Sequence, residues 1–206
     1  MKKLAIALTN LLFIFTSAYA QDKTINYPTG ELYVGEVKND KPEGNGTMTY
    51  TDNAKYSGQW KAGIINGKGA YLEANGNRYD GTWLEAKKHG KGTMKWADGS
   101  IYTGQWQYDN MEGKGTMTWI TGEVYKGMWR LGKKEGMGSI VWKTGDTYKG
   151  GWKEDEHEGT GTYKWANGDT YKGDWHKGKF NGFGTMKYTN GTVEAGLWEN
   201  GRYKGK

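Results

Sequence analysis

The chain is 206 residues long with a formal net charge of +6, and it sets 35 glycines among 11 tryptophans and 15 tyrosines, with two prolines and no cysteine. Glycine at this level without proline excludes a collagen-like chain, and so many rings argue against disorder, because aromatic side chains are costly to leave in water. The absence of a thiol excludes a disulfide framework and a cysteine-borne lipid anchor.

Met1–Ala20 combines a basic start at Lys2 and Lys3, an apolar run from Leu4 to Phe15, and the small-residue pattern Ala18-Tyr19-Ala20 ahead of Gln21 and Asp22. This is the make-up of a secretory signal peptide. A membrane-spanning helix needs about 20 apolar residues, and this run is shorter and interrupted by Thr9 and Asn10. Cleavage is expected to leave 21–29 as an N-terminal leader and to deliver the chain to the periplasm, the cell envelope or the medium; the Lys-Lys start looks bacterial. Without Lys2 and Lys3 the balance is 27 basic to 23 acidic residues, a net +4. The sequence shows no concentrated Lys/Arg stripe of the kind that phosphate-backbone binding needs, so nucleic acid is not an expected partner.

From residue 30 onward one pattern fills the chain. Units of the form G-x-x-Y-x-G-x-W, a short polar stretch, then G-x-G-x-M-x-W, begin at 30, 53, 76, 99, 122, 145 and 168, with a partial unit at 191, every interval being 23 residues. The tyrosine column reads Tyr33, Tyr56, Tyr79, Tyr102, Tyr125, Tyr148 and Tyr171; the tryptophan column runs from Trp60 to Trp198, with Val37 in the first place. These residues closely resemble the MORN (membrane occupation and recognition nexus) repeat, over residues 30–206. Asn53, Val37, Glu73 and Glu194 depart from the pattern, mostly toward the ends, where a repeat array needs atypical capping units.

Within a unit, Tyr171, Gly173 and Trp175 alternate with Thr170, Lys172 and Asp174, and Gly182, Gly184, Met186 and Tyr188 alternate with Phe183, Thr185 and Lys187. Period two in both runs predicts a hairpin per repeat. Between repeats, Thr121 and Thr144 would resist the positive φ of a two-residue type I′ turn, so a three-residue loop ending on a left-handed glycine is expected, with Asn53 the best-tolerated substitute. That loop places Tyr163 opposite Tyr171 and Gly161 opposite Gly173. Within each repeat a six-residue loop, His176 to Asn181, is expected to set Trp175 across from Gly182 and Gly173 across from Gly184. All aromatics then share one face, with glycine rows leaving room for indole rings. The fold class is all-β: an open, single-layer antiparallel meander of about sixteen strands, elongated and twisted or curved, roughly 70–75 Å long.

Apparent active-site motifs dissolve in this frame. Gly90-Lys91-Gly92-Thr93 and Gly113-Lys114-Gly115-Thr116 do not complete a phosphate loop and read as strand starts. His89, His157 and His176 have no metal-ligand spacing and read as solvated loop residues, and Glu154 to Glu158 reads as a solvated acidic run without the spaced ligands of a calcium loop. No catalytic residue, metal or cofactor is expected. The expected function is a non-catalytic scaffold for a protein partner or for self-association through a terminal edge, Thr192 to Trp198 forming that edge and Arg202, Lys204 and Lys206 blunting it with charge. The MORN resemblance implies structural and tethering roles. The alternative is a binder of glycans on the aromatic face, or of anionic lipid head groups on the opposite face, where Lys126, Lys149 and Lys172 form a ladder joined by Lys164 and Lys187. The candidate binding residues are Tyr79, Trp83, Tyr102, Trp106, Tyr125, Trp129, Tyr148, Trp152, Tyr171 and Trp175.

Overall fold

The computed structural model describes residues 21–206; the proposed signal peptide, 1–20, lies outside the described residues. Seventeen strands form one open antiparallel sheet in which each strand pairs with its neighbours in the chain. β1, Gln21–Asn26, precedes the repeats. The first strands of the repeats have seven residues: β2 Leu32–Lys38, β4 Lys55–Lys61, β6 Arg78–Leu84, β8 Ile101–Gln107, β10 Val124–Arg130, β12 Thr147–Lys153, β14 Thr170–His176 and β16 Val193–Glu199. The second strands have nine: β3 Lys41–Thr49, β5 Ile64–Leu72, β7 Lys87–Lys95, β9 Asn110–Thr118, β11 Lys133–Val141, β13 Glu156–Lys164 and β15 Lys179–Lys187; a short β17, Arg202–Gly205, closes the array. Sixteen strand intervals at about 4.8 Å give a sheet roughly 75–80 Å across.

The inter-repeat turn has the expected form. Trp165 N–H donates to the Asp169 carbonyl at 3.0 Å and Gly168 N–H to the Trp165 carbonyl at 2.9 Å, with Gly168 at φ +97° and Asn53, its equivalent, at φ +69°. Tyr163 pairs with Tyr171 and Gly161 with Gly173.

The turn within the repeat differs from expectation. His176 pairs with Lys179, leaving only Lys177 and Gly178 in the loop, both at positive φ (48° and 73°). Positive φ at both positions marks a type I′ turn, whose twist suits antiparallel strands. Elsewhere this turn is built from Glu85 and Ala86, Tyr108 and Asp109, Leu131 and Gly132, and Glu154 and Asp155. None of these is β-branched, so the steric argument against threonine holds while the turn type appears at the other junction. The remaining residues of the expected loop enter a bulge: Trp175 pairs with Phe180, Gly173 with Gly184, and Asp174 alone faces Asn181 to Phe183. The pairing therefore slips by an even number of residues, which keeps every aromatic on the same face.

Both ends also differ. The leader forms β1, hydrogen-bonded along β2 from Gln21 with Val37 to Asn26 with Leu32. Val193–Glu199 is not the terminal edge, because β17 pairs with it through Trp198 with Tyr203 and Glu199 with Arg202. Among the described residues the sheet thus has seventeen strands rather than about sixteen, and the charged C-terminal residues continue the sheet.

Candidate functional site

The ten candidate rings lie in the interior of the aromatic face. Tyr79, Tyr102, Tyr125, Tyr148 and Tyr171 are at most 1% exposed, and Trp83, Trp106, Trp129, Trp152 and Trp175 lie between 4% and 6%. Each tyrosine stands edge-to-face between its own tryptophan and that of the next repeat: Tyr171 lies 5.4 Å from both Trp175 and Trp198, at 90° and 84°. This edge-on arrangement suits the ring quadrupole and extends the packing from one repeat to the next. Each phenol also donates to a backbone carbonyl three residues on, as in Tyr102 Oη to Gln105 O at 3.0 Å. Burial raises the tyrosine pKa values, that of Tyr171 to about 12, so the rings stay neutral at physiological pH.

The glycine rows serve the phenols rather than the indoles. A Cβ at Gly184 would stand 2.3 Å from Tyr171 Oη, and one at Gly161 would stand 2.4 Å from Tyr148 Oη. The expected indole-over-Gly182 contact does not form. Gly182 has φ +108°, and its Cβ would meet Asp174 instead, so that glycine answers to the bulge conformation. Four indoles use the glycine row in another way, donating Nε1–H to its carbonyls, as in Trp83 to Gly69 O at 3.0 Å.

A further column that the sequence reading did not single out covers the rings. Pro42, Ile65, Lys88, Met111, Lys134, His157, Phe180 and Tyr203 recur every 23 residues just after the intra-repeat turn. Phe180 stacks on Tyr171 at 3.8 Å, and Lys134 places its ammonium 5.0 Å from the Trp152 centroid, with Asp155 3.5 Å away. The signal available in the sequence was a column never occupied by a small residue. Its chemistry varies along the array while the rings beneath do not.

All three histidines lie in strands rather than loops; His176 is exposed as expected, whereas His89 and His157 are half-buried. His157 stacks on Tyr148 at 3.8 Å and contacts Trp152 and Trp175 at 4.5 and 4.8 Å. Loss of hydration, with Lys134 contributing, lowers its pKa to about 4. His89 is half-buried against Tyr108, and His176 meets Glu158 at 3.1 Å. The acidic run is tied down: Glu154 pairs with Lys133, Asp155 with Lys134, and Glu158 accepts from Lys177 N–H. Among the described residues, no group of three or more His, Asp or Glu side chains could hold a metal ion.

The opposite face is polar. Lys126, Ser139, Lys149, Thr162, Lys172 and Thr185 make one cross-strand row. Beside it Met137 and Phe183 stand 61% and 71% exposed. Gln59, Gln105, Glu36 and Asp174 each turn a side-chain oxygen onto the backbone N–H of Lys68, Lys114, Asn45 and Phe183, at 2.7 to 2.9 Å, capping the bulges from this side.

One sheet, two different long faces and a core built of stacked units define a tandem-repeat β platform. Residues 33–55, 56–78, 79–101, 102–124, 125–147, 148–170 and 171–193 each match the MORN repeat model. The chain belongs to the MORN repeat family. No curated protein matches it. Among solved structures, the G-box domain of the microcephaly protein CPAP is similar at TM-score 0.51 and 11% identity, over 84% of this chain and 90% of that one. The TCP10 domain of Danio rerio CPAP gives TM-score 0.48 and 11% identity over 85% and 83%. The TCP domain of Drosophila melanogaster SAS-4, solved with a proline-rich motif of Ana2, gives 0.39 and 13% over 96% and 99%. At these identities the likeness concerns the fold alone.

Proposed function

We propose that this chain is an exported, non-catalytic scaffold that holds a protein partner in the cell envelope or outside the cell. The carrying observation is that all ten candidate rings are consumed as core. What the array offers is therefore a long platform of fixed side-chain spacing. Export rests on the composition of Met1–Ala20, and self-association through the β1 or β17 edge belongs to the same reading. Among the described residues, none departs from the repeat in a way that assembles a nucleophile, a base and an oxyanion site.

A glycan-binding reading draws on one observation. Trp96, Trp119, Trp142 and Trp165 are half-buried and recur once per repeat along the aromatic face. Affinity capture from a cell-envelope fraction, run beside a glycan panel and liposomes, separates the two. A saturable protein partner is the expected result. Saturable glycan or lipid binding with no protein captured would remove the scaffold proposal.

A further inference from the structure

The polar face carries a continuous trough. Three depressions of about 590, 640 and 730 Å³ follow one another across the sheet, the first two sharing Thr103 and Lys114 and the last two sharing Met137. Lys91, Lys114, Lys126, Lys149 and Lys172 line it, all exposed, and no carboxylate does. None of the five forms an ion pair among the described residues. Of the carboxylates that share this face, Glu36 holds Asn45, Asp80 pairs with Arg78, Asp174 accepts from Phe183 N–H and Glu135 pairs with Arg130, while Glu112, which lines an adjoining depression with Lys91, accepts from Leu131 N–H. Five unpaired cations along one trough create a field that favours an anionic chain.

The spacing narrows the choice of chain. Lys126, Lys149 and Lys172 are each two strands apart, through Ser139 and Thr162, and so stand about 9.6 Å from one another. A β-strand laid along the trough repeats on one side every 6.7 Å or so and falls out of step. A polyproline II segment, with three residues per turn and 3.1 Å rise, repeats about every 9.3 Å and stays in register. Met137 and Phe183 add exposed apolar surface beside the lysine row, which suits apolar side chains and has no use for a sugar polyanion. Lipid head groups, which move independently, would gain nothing from the register.

We propose that the trough binds an extended acidic segment of a protein partner in polyproline II form. A carboxylate at every third residue would meet Lys126, Lys149 and Lys172, and apolar side chains would meet Met137 and Phe183. Docking of this kind rests on the scaffold role proposed above.

The probe is a fluorescein-labelled peptide of four Glu-Pro-Leu triplets, compared by anisotropy with a peptide of the same composition whose glutamates are clustered at one end. The full chain should bind the triplet peptide and bind the clustered one more weakly. Lys149→Gln with Lys172→Gln should weaken triplet binding about two- to thirtyfold, the range for two exposed ion pairs. Lys153→Gln with Lys179→Gln, which removes the same charge outside the trough, should leave it unchanged. Equal binding of both peptides, or equal weakening by both double variants, would reduce the effect to net charge and overturn the proposal. So would binding to phosphatidylserine vesicles that depends on Lys149 and Lys172 in the absence of peptide binding. Envelope capture separates the two readings. A partner held equally by the wild type and Lys149→Gln/Lys172→Gln leaves the scaffold standing and rejects the trough, whereas no captured partner and no peptide binding rejects both.

Discussion

Replacing Gly184 by alanine tests how the sheet is held together. Gly184 has an ordinary extended backbone, so the substitution carries no conformational strain and its cost is steric. The new methyl would stand 2.3 Å from Tyr171 Oη and 2.6 Å from Cζ. The ring has nowhere to go: Phe180 covers one side, Trp175 and Trp198 bound its edges, and its hydroxyl is tied to Asp174 O at 3.0 Å. Overpacking costs about 1–3 kcal/mol, and a displaced phenol forfeits its hydrogen bond at about 1 more, so Gly184→Ala should destabilise by about 3 kcal/mol. Gly159→Ala is the control, since its Cβ meets nothing within 4 Å while φ is +68°; only the backbone term of about 1 kcal/mol applies there. In a Tyr171→Val background the clash disappears, and Gly184→Ala should cost under about 1 kcal/mol. Guanidinium unfolding followed by tryptophan fluorescence, with slopes compared between variants, measures all of these. The reasoning fails if Gly184→Ala costs no more than Gly159→Ala, or costs the same with and without the Tyr171 ring.

Tyr102→Phe leaves the Gln105 carbonyl without the donor now 3.0 Å away and should cost about 1 kcal/mol in the same assay. His157 remains neutral in the folded chain down to pH about 4, while in the unfolded chain it takes up a proton near pH 6.5. Stability should therefore fall as pH drops through that interval, by on the order of 2 kcal/mol once the partly solvated ring is allowed for. His157→Phe, which copies Phe180, should remove this component, and denaturation midpoints at pH about 7 and about 4.5 decide it. Deleting residues 99–121, one whole period, should leave a folded sheet shorter by about 9.6 Å, because strands pair with their chain neighbours and the ring contacts reach only the adjacent repeat; small-angle scattering and circular dichroism would show the shortening, or show a collapsed chain that refutes it.

The column of covering residues shows how far pattern reading reaches. The column mixes lysine at 88 and 134 with His157 and Phe180, so no type-based motif finds it, yet each of these residues sits over a tyrosine or tryptophan of the repeat. Their common trait is position after a turn whose φ values were not anticipated. His157 is the clearest case: its polarity suggests solvent, and only the bulge at Asp174 and its equivalents brings the following strand back over the rings.

The sequence by itself determined the 23-residue period, the hairpin in each unit, the single aromatic face and the three-residue turn between repeats. These are local properties, encoded in alternation and in a left-handed position held by glycine or Asn53. The tertiary structure decided what depends on cross-strand register. It showed that Glu85, Tyr108 and Leu131 adopt positive φ in a tight turn, that the glycines accommodate phenols, that β1 and β17 form the edges, and that five lysines line one trough. A left-handed residue costs roughly 1 kcal/mol at its own position and is offset by strand pairing many residues away, so that choice was settled by the assembled sheet.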